Sequence, residues 1–189
     1  MKTQPEIDAR VLAGTIGVRS LWVPITDMYE TATSAAGALV YIGSTGTISR
    51  FPSRPFDPTS DEFMMFTWAI PKNYLSSAGI SFIPIWAPTT TDMSGNVQWE
   101  IRAVDMANGA SATQTIGGDL CMSSDTPDGT VENIHIGPES ARKYLNSFTK
   151  QDLLCVRVMR RAATPDDYTG DASLIGIRLF WTTDAPTED

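Results

Sequence analysis

The stretch VQWEIRAV constrains this chain most. Val97, Trp99, Ile101 and Ala103 alternate with Gln98, Glu100, Arg102 and Val104. Successive side chains of a strand point to opposite faces, so a period of two predicts a strand with one buried and one wetted side. Trp99 is expected in the core and Glu100 beside Arg102 on a solvated sheet face. Just upstream, Ile80, Phe82, Pro84 and Trp86 also fall at every second residue, opposite Ser81, Ile83 and Ile85. The connection between the two runs is long and polar.

Similar short runs recur along the chain. SLWVPI places Leu21, Val23 and Ile25 on one side and Trp22 on the other. Pro24 cannot donate to a ladder, which predicts an edge strand or an early end. Short strands are expected at Leu39 to Ile42 and Thr47 to Phe51, and PSRPFDPTS reads as loop from its prolines. Glu62 to Ile70 is apolar on both faces and is expected to be central and buried. Pro84 predicts a bulge or an unpaired position. TVENIHI, DLLCVRVMR and SLIGIRLFW complete the strands. In the last, Ile175, Ile177, Leu179 and Trp181 are read as one face, opposite Leu174, Arg178 and Phe180. PESARKYLNSF, with Pro138 suited to a first helical position, is read as one or two helical turns.

About eight strands bounded by turn residues, with no long helical period, predict an all-β fold. The expected form is an antiparallel two-sheet β-sandwich of jelly-roll type. A seven-stranded immunoglobulin-like sandwich would leave one strand without a place. The 189 residues suit a single domain. We read 1–14 as a polar N-terminal arm, 15–183 as the sandwich and 184–189 as an acidic tail.

Charge and motifs narrow the chemistry. The net charge of −8 argues against a phosphate-binding nucleic-acid surface, which needs clustered Lys and Arg. No run approaches the ~20 apolar residues of a membrane helix, and MKTQPEIDAR lacks the apolar core of a secretion signal. His135 is the single histidine, set between isoleucines in a strand, and no nucleophile elbow accompanies it. Glu100 shares its face with Gln98, Arg102 and Val104, so its own strand offers no second carboxylate for glycoside hydrolysis. Two acidic loops, DPTSDE and TPDDYTGDAS, have oxygen ligands of the kind calcium takes, but Asp is also an ordinary turn former. The expectation is no enzyme, no catalytic residues, no cofactor and no assigned metal ligand. Whether Cys121 and Cys155 form a disulfide stays open. Trp22, beside Pro24, is the tryptophan expected at a surface or subunit contact. Trp68, Trp86, Trp99 and Trp181 are expected to pack in the core.

Several segments resemble tailed-bacteriophage and prophage structural proteins. They are LWVPITDMYETATSAAG, FDPTSDEFMMFTWAIPKNY, GISFIPIWAPTT with SGNVQWEIRAV, and LLCVRVMRRAATPDDYTGDASLIGIRLFW. The recurring positions are Phe56, Asp57, Thr59, Asp61, Glu62 and Phe66, then Pro71, Trp86, Gly95, Val97 and Trp99, and finally Leu174, Gly176 and Ile177. These are residues of packing and turns. The resemblance implies a jelly-roll virion subunit made in the bacterial host cytoplasm. It is expected to decorate the capsid surface as a homotrimer that cements the major capsid protein, with no nucleic-acid or membrane partner. Lys2, Glu6, Asp8, Arg10, Val11 and Trp22 are the expected partner contacts. A baseplate or tail-fibre subunit and a carbohydrate-binding module for host glycans are the alternatives.

Overall fold

The computed structural model describes residues 17–43, 50–117, 120–143, 148–163 and 165–185. Its strands are β1 (Gly17–Pro24), β2 (Tyr29–Glu30), β3 (Val40–Ile42), β4 (Phe51–Phe56), β5 (Glu62–Ala69) and β6 (Ile80–Pro88). They continue with β7 (Val97–Met106), β8 (Leu120–Asp125), β9 (His135–Ile136), β10 (Leu153–Arg160) and β11 (Ala172–Thr183). One sheet runs β3-β4-β11-β6-β9 and the other β2-β5-β10-β7-β8, with every strand pair antiparallel. Eight of them, β4-β11-β6-β9 facing β5-β10-β7-β8, make the two four-stranded halves of a jelly roll. No helix among the described residues is long and apolar enough to cross a membrane.

The inner faces interlock around aromatic rings. Trp99 meets Phe56 edge-on at 5.2 Å between centroids and Trp86 at 6.4 Å; Trp68 lies 5.2 Å from Trp181. Alternation holds on β7, where Val97, Trp99 and Ile101 are buried in this core. On β1, Val23 is buried and Leu21 packs against the core, while Trp22 points outward. As expected from Pro24, β1 is an edge strand. It lies along β11 beyond the point where β4 leaves off: β4 pairs residues 172–174 and β1 pairs 176–183.

Five local expectations give way to tertiary context. Residues 51–56 are the strand β4 despite Pro52 and Pro55, because the two rings are accommodated where β4 pairs only briefly with β3 and β11; residues 47–49 lie outside the described residues. Strand β5 is not central: beyond it lies only the two-residue β2, and its outer face is half exposed. Of the stretch 138–148 read as helical, residues 138–143 form no helical turn and run along β6, where Ser140 N donates to Phe82 O and Lys143 bridges Ile80, and residues 144–147 lie outside the described residues. The missing N–H of Pro84 breaks the β6–β9 ladder, and the irregular segment takes over the remaining backbone partners. The expected bulge falls on the partner strand: register slips between Leu174 and Gly176, leaving Ile175 extra. An extra residue inverts the side-chain alternation beyond it. Leu174 therefore shares the core with Ile177 and Leu179, while Ile175 turns to the outer face.

The fifth correction concerns Glu100. It lies on the outer face of its sheet, yet its side chain is fully buried, with Arg102 Nε donating to Oε1 and Arg161 Nη1 at 3.9 Å from Oε2. Long side chains reaching across the sheet cover it, an effect that strand periodicity does not register.

Candidate functional site

A trough on the outer face of the first sheet is the site that the fold constructs. Its floor is Ile175, turned outward by the bulge, packed with Ile42, Ile85 and Ala87. At one end the walls are Trp22 and Pro24 of β1, Phe51 and Pro52 of β4, and Ile134, enclosing about 320 Å³ with Ile85 and Ile175 beneath. Apart from the indole N–H of Trp22, no side chain lining this end carries a hydrogen-bonding group. Trp22 is 44% and Phe51 45% exposed, and Ile134 and Ile136 are also exposed. Exposed residues clustered in this way on one face are a common mark of an interaction surface.

Gly176 sets the position of Trp22. A Cβ at residue 176 would stand 2.5 Å from Val23 O and 2.6 Å from Trp22 Cη2. The bare backbone of β11 thus lets the end of β1 and the indole settle against it.

The other end of the trough is mixed. Tyr41, Thr89, Glu132, Asp171 and Ser173 stand among Val40, Pro55, Pro88 and Val131 around about 350 Å³, with Ile42 continuing the floor. Glu132 adopts a left-handed φ of 66°, unusual for a residue with a side chain. Its backbone N donates to Pro88 O at 3.0 Å, and its Oε2 accepts from Gly43 N at 3.1 Å. Burial pushes the Asp171 carboxyl above the ordinary carboxylate range, helped by Asp57 and opposed by Arg160.

Of the expected partner contacts, Trp22 stands on this trough. Lys2, Glu6, Asp8, Arg10 and Val11 lie outside the described residues. Sequence reading missed Phe51, Tyr41, Ile175 and Glu132. Phe51 and Tyr41 fall in expected strands too short to show which side faces out, and the bulge reverses the apparent face of Ile175. The alternation in TVENIHI predicts a strand, but only His135–Ile136 pair with β6; Asn133 N donates to Thr130 O at 3.2 Å across a turn that carries Glu132, and no spacing marks it.

Other candidate chemistry resolves into packing. His135 stacks on Trp86 at 4.9 Å, with Nδ1 3.7 Å from Asp125 and Nε2 3.5 Å from Asp128. Trp86 Nε1 donates to the same Asp125 at 3.0 Å. The two acidic loops do converge, but on an arginine. Arg160, fully buried, donates from Nε and Nη2 to the two oxygens of Asp166, both at 2.9 Å. Its Nη1 reaches the carbonyls of Phe56 and Gly170 at 2.9 and 2.7 Å, and Nη2 reaches Tyr168 O at 2.6 Å. The oxygen-rich surroundings that suggested calcium are here engaged by a guanidinium. Among the described residues no group of three or more His, Cys, Asp or Glu side chains is placed to hold a metal ion. Neither cysteine is in a disulfide: Cys121 faces the core and Cys155 the opposite side of the same sheet, near the Tyr29 hydroxyl at 3.4 Å.

No protein-family model and no curated protein matches the chain. Among solved structures, the chain is similar to a carbohydrate-binding module studied for specific mannan recognition. The identity is 12% and the TM-score 0.36, over 86% of this chain and 98% of that one. It is also similar to a family 11 carbohydrate-binding module from Clostridium thermocellum, in complex with a β-1,3-1,4-mixed-linked tetrasaccharide. There the identity is 13% and the TM-score 0.36, over 87% of each chain.

Proposed function

We propose that this chain is a non-enzymatic structural subunit of a tailed-phage virion, a decoration protein that docks on the assembled capsid and cements it. The observation that carries this reading is the apolar end of the trough. Trp22, Phe51 and Ile134 stand exposed around a cavity with almost nothing to hydrogen-bond. Such a face gains free energy by excluding water against an apolar ridge of another protein. It offers little to a sugar, whose hydroxyls would lose water there without replacement partners. Binding the assembled lattice and not the free shell subunit would stabilise the particle by mass action. Association of three copies would multiply weak contacts.

The test is quantitative mass spectrometry of purified particles, comparing wild type with Trp22→Ser. A copy number near that of the shell subunit, falling at least tenfold in Trp22→Ser while the purified variant keeps its melting temperature, supports capsid decoration. A ratio lower by more than an order of magnitude in wild type moves the protein to the tail. Absence from particles overturns the virion reading. Deletion of residues 1–14 in the same assay measures the contribution of Lys2, Glu6, Asp8, Arg10 and Val11.

A second reading, glycan binding, is favoured by the mixed end, where Tyr41 is 54% exposed beside Glu132 and Asp171. Aromatic faces and carboxylates are groups that saccharides use. Glycan-array binding that disappears in Tyr41→Ala would support it.

A further inference from the structure

The outer face of the second sheet carries a different kind of group. Arg157 of β10 lies directly opposite Arg102 of β7, and Arg161 follows at the end of β10, its N donating to Gln98 O of β7. Like charges directly opposite on neighbouring strands repel, so this pair needs a counterion. Glu100 supplies part of one. Its Oε1 accepts from Arg102, while Oε2 makes no hydrogen bond and has Arg161 at 3.9 Å. Asp61 also acts on Arg157, but its Oδ1 accepts from Ala162 N at 2.9 Å. Arg157 itself forms no ion pair among the described residues. Its guanidinium lies over the Phe63 ring at 4.9 Å, and its Nε is buried without a hydrogen-bond partner. Three guanidinium groups thus meet two carboxylates, in a chain whose overall charge is −8.

We infer that this face binds an oxyanion, a carboxylate or phosphate, carried by a saccharide, with Arg157 and Arg102 as its principal partners. Guanidinium groups match both anions with paired donors. The side chains of Arg102 and Arg161 are 26% and 37% exposed and within reach of a ligand. Tyr29 and Met122, both exposed, flank the arginines on the same face through the pairings Tyr29–Met65–Arg157 and Met122–Glu100, and offer apolar surface to a sugar ring. This inference does not rest on the trough, which lies on the other sheet.

Isothermal titration calorimetry of the full chain tests it with trigalacturonate, the methyl ester of the same trisaccharide, and inorganic phosphate. The expected result is salt-sensitive binding of trigalacturonate, with the ester at least about tenfold weaker, and a further loss of about tenfold in Arg157→Gln. Phosphate that competes with trigalacturonate supports an oxyanion pocket open to either anion. Phosphate binding without trigalacturonate binding supports the oxyanion and assigns it to phosphate-bearing ligands. Equal binding of acid and ester, affinity unchanged in Arg157→Gln, or no binding of any probe overturns the inference. Should Arg157→Gln fail to fold, Arg161→Gln at the more exposed margin is the replacement, with a loss of at least threefold expected and no loss refuting the assignment.

Discussion

Replacing Arg160 by Met should be among the most damaging single changes available in this fold. Both charged side chains of the pair are out of water, Arg160 at 0% and Asp166 at 1% exposure. Methionine fills comparable volume but leaves Asp166 with its remaining partner, the Gln98 N–H at 2.8 Å. Removing one partner of a buried ion pair costs about 3–5 kcal/mol. The carbonyls of Phe56, Tyr168 and Gly170 also lose their donors, and water reaching them offsets only part of that loss. We expect a total of about 5 kcal/mol, a large fraction of the 5–15 kcal/mol typical of a domain. For a chain of this size that lowers the melting temperature by roughly 10–20 °C. The assay is urea unfolding followed by tryptophan fluorescence at neutral pH, with thermal melts alongside. Arg160→Met/Asp166→Asn should recover about 2 kcal/mol of the loss, because the stranded charge is gone while the carbonyls stay unsatisfied. Arg160→Lys, which keeps the charge and loses the planar fork, should fall between wild type and Arg160→Met. A variant Arg160→Met within 1 kcal/mol of wild type would refute the reasoning, since it would mean that the guanidinium does not hold these loops.

Further predictions concern backbone conformation at two glycines and the titration of partly buried and loop carboxylates. Gly95 has a φ of 85°, and a Cβ there would stand 2.6 Å from the backbone of Asp167 and Tyr168, whereas Gly109, at 86°, faces open space. Gly109→Ala should cost about 1 kcal/mol from backbone strain alone, and Gly95→Ala about 2–4 kcal/mol with the clash added; equal urea midpoints for the two variants would contradict this. Burial, and the nearby Asp57 charge, hold the Glu62 carboxyl above its ordinary range, even though it accepts from Asp57 N at 2.8 Å. A carboxyl raised in the folded state opposes folding when ionised, so its cost is present at neutral pH and disappears as pH falls through the folded value toward the unfolded one near 4. Glu62→Gln should therefore gain stability over wild type at pH 7, with the gap narrowing by pH 4; a gap independent of pH in urea unfolding would count against it. Asp57, Asp92 and Asp128, held low mainly by local hydrogen bonds, act in the opposite sense, and the support they give is lost as pH falls below about 4.

How far the sequence reaches can be judged from single residues. The period of two on β7 was enough to send Trp99 inward, and Pro24 was enough to make β1 an edge that presents Trp22, because both depend on the geometry of one strand and on a missing N–H. The count of strands, each short and bounded by turn formers, led to the sandwich for the same local reason. Glu100 shows where that reasoning stops: alternation placed it on the outer face, but its burial depends on Arg102 and on Arg161, which follows the neighbouring strand β10. Ile175 shows it again, since the bulge that reverses its side arises from pairing with β6 and from the close approach of β1 at Gly176. The trough and the arginine face are assembled from residues far apart in the chain, and neither has a spacing that could announce it. Strand identity is a property of neighbours along the chain; the sites depend on the register between strands, which the packing of the two sheets decides.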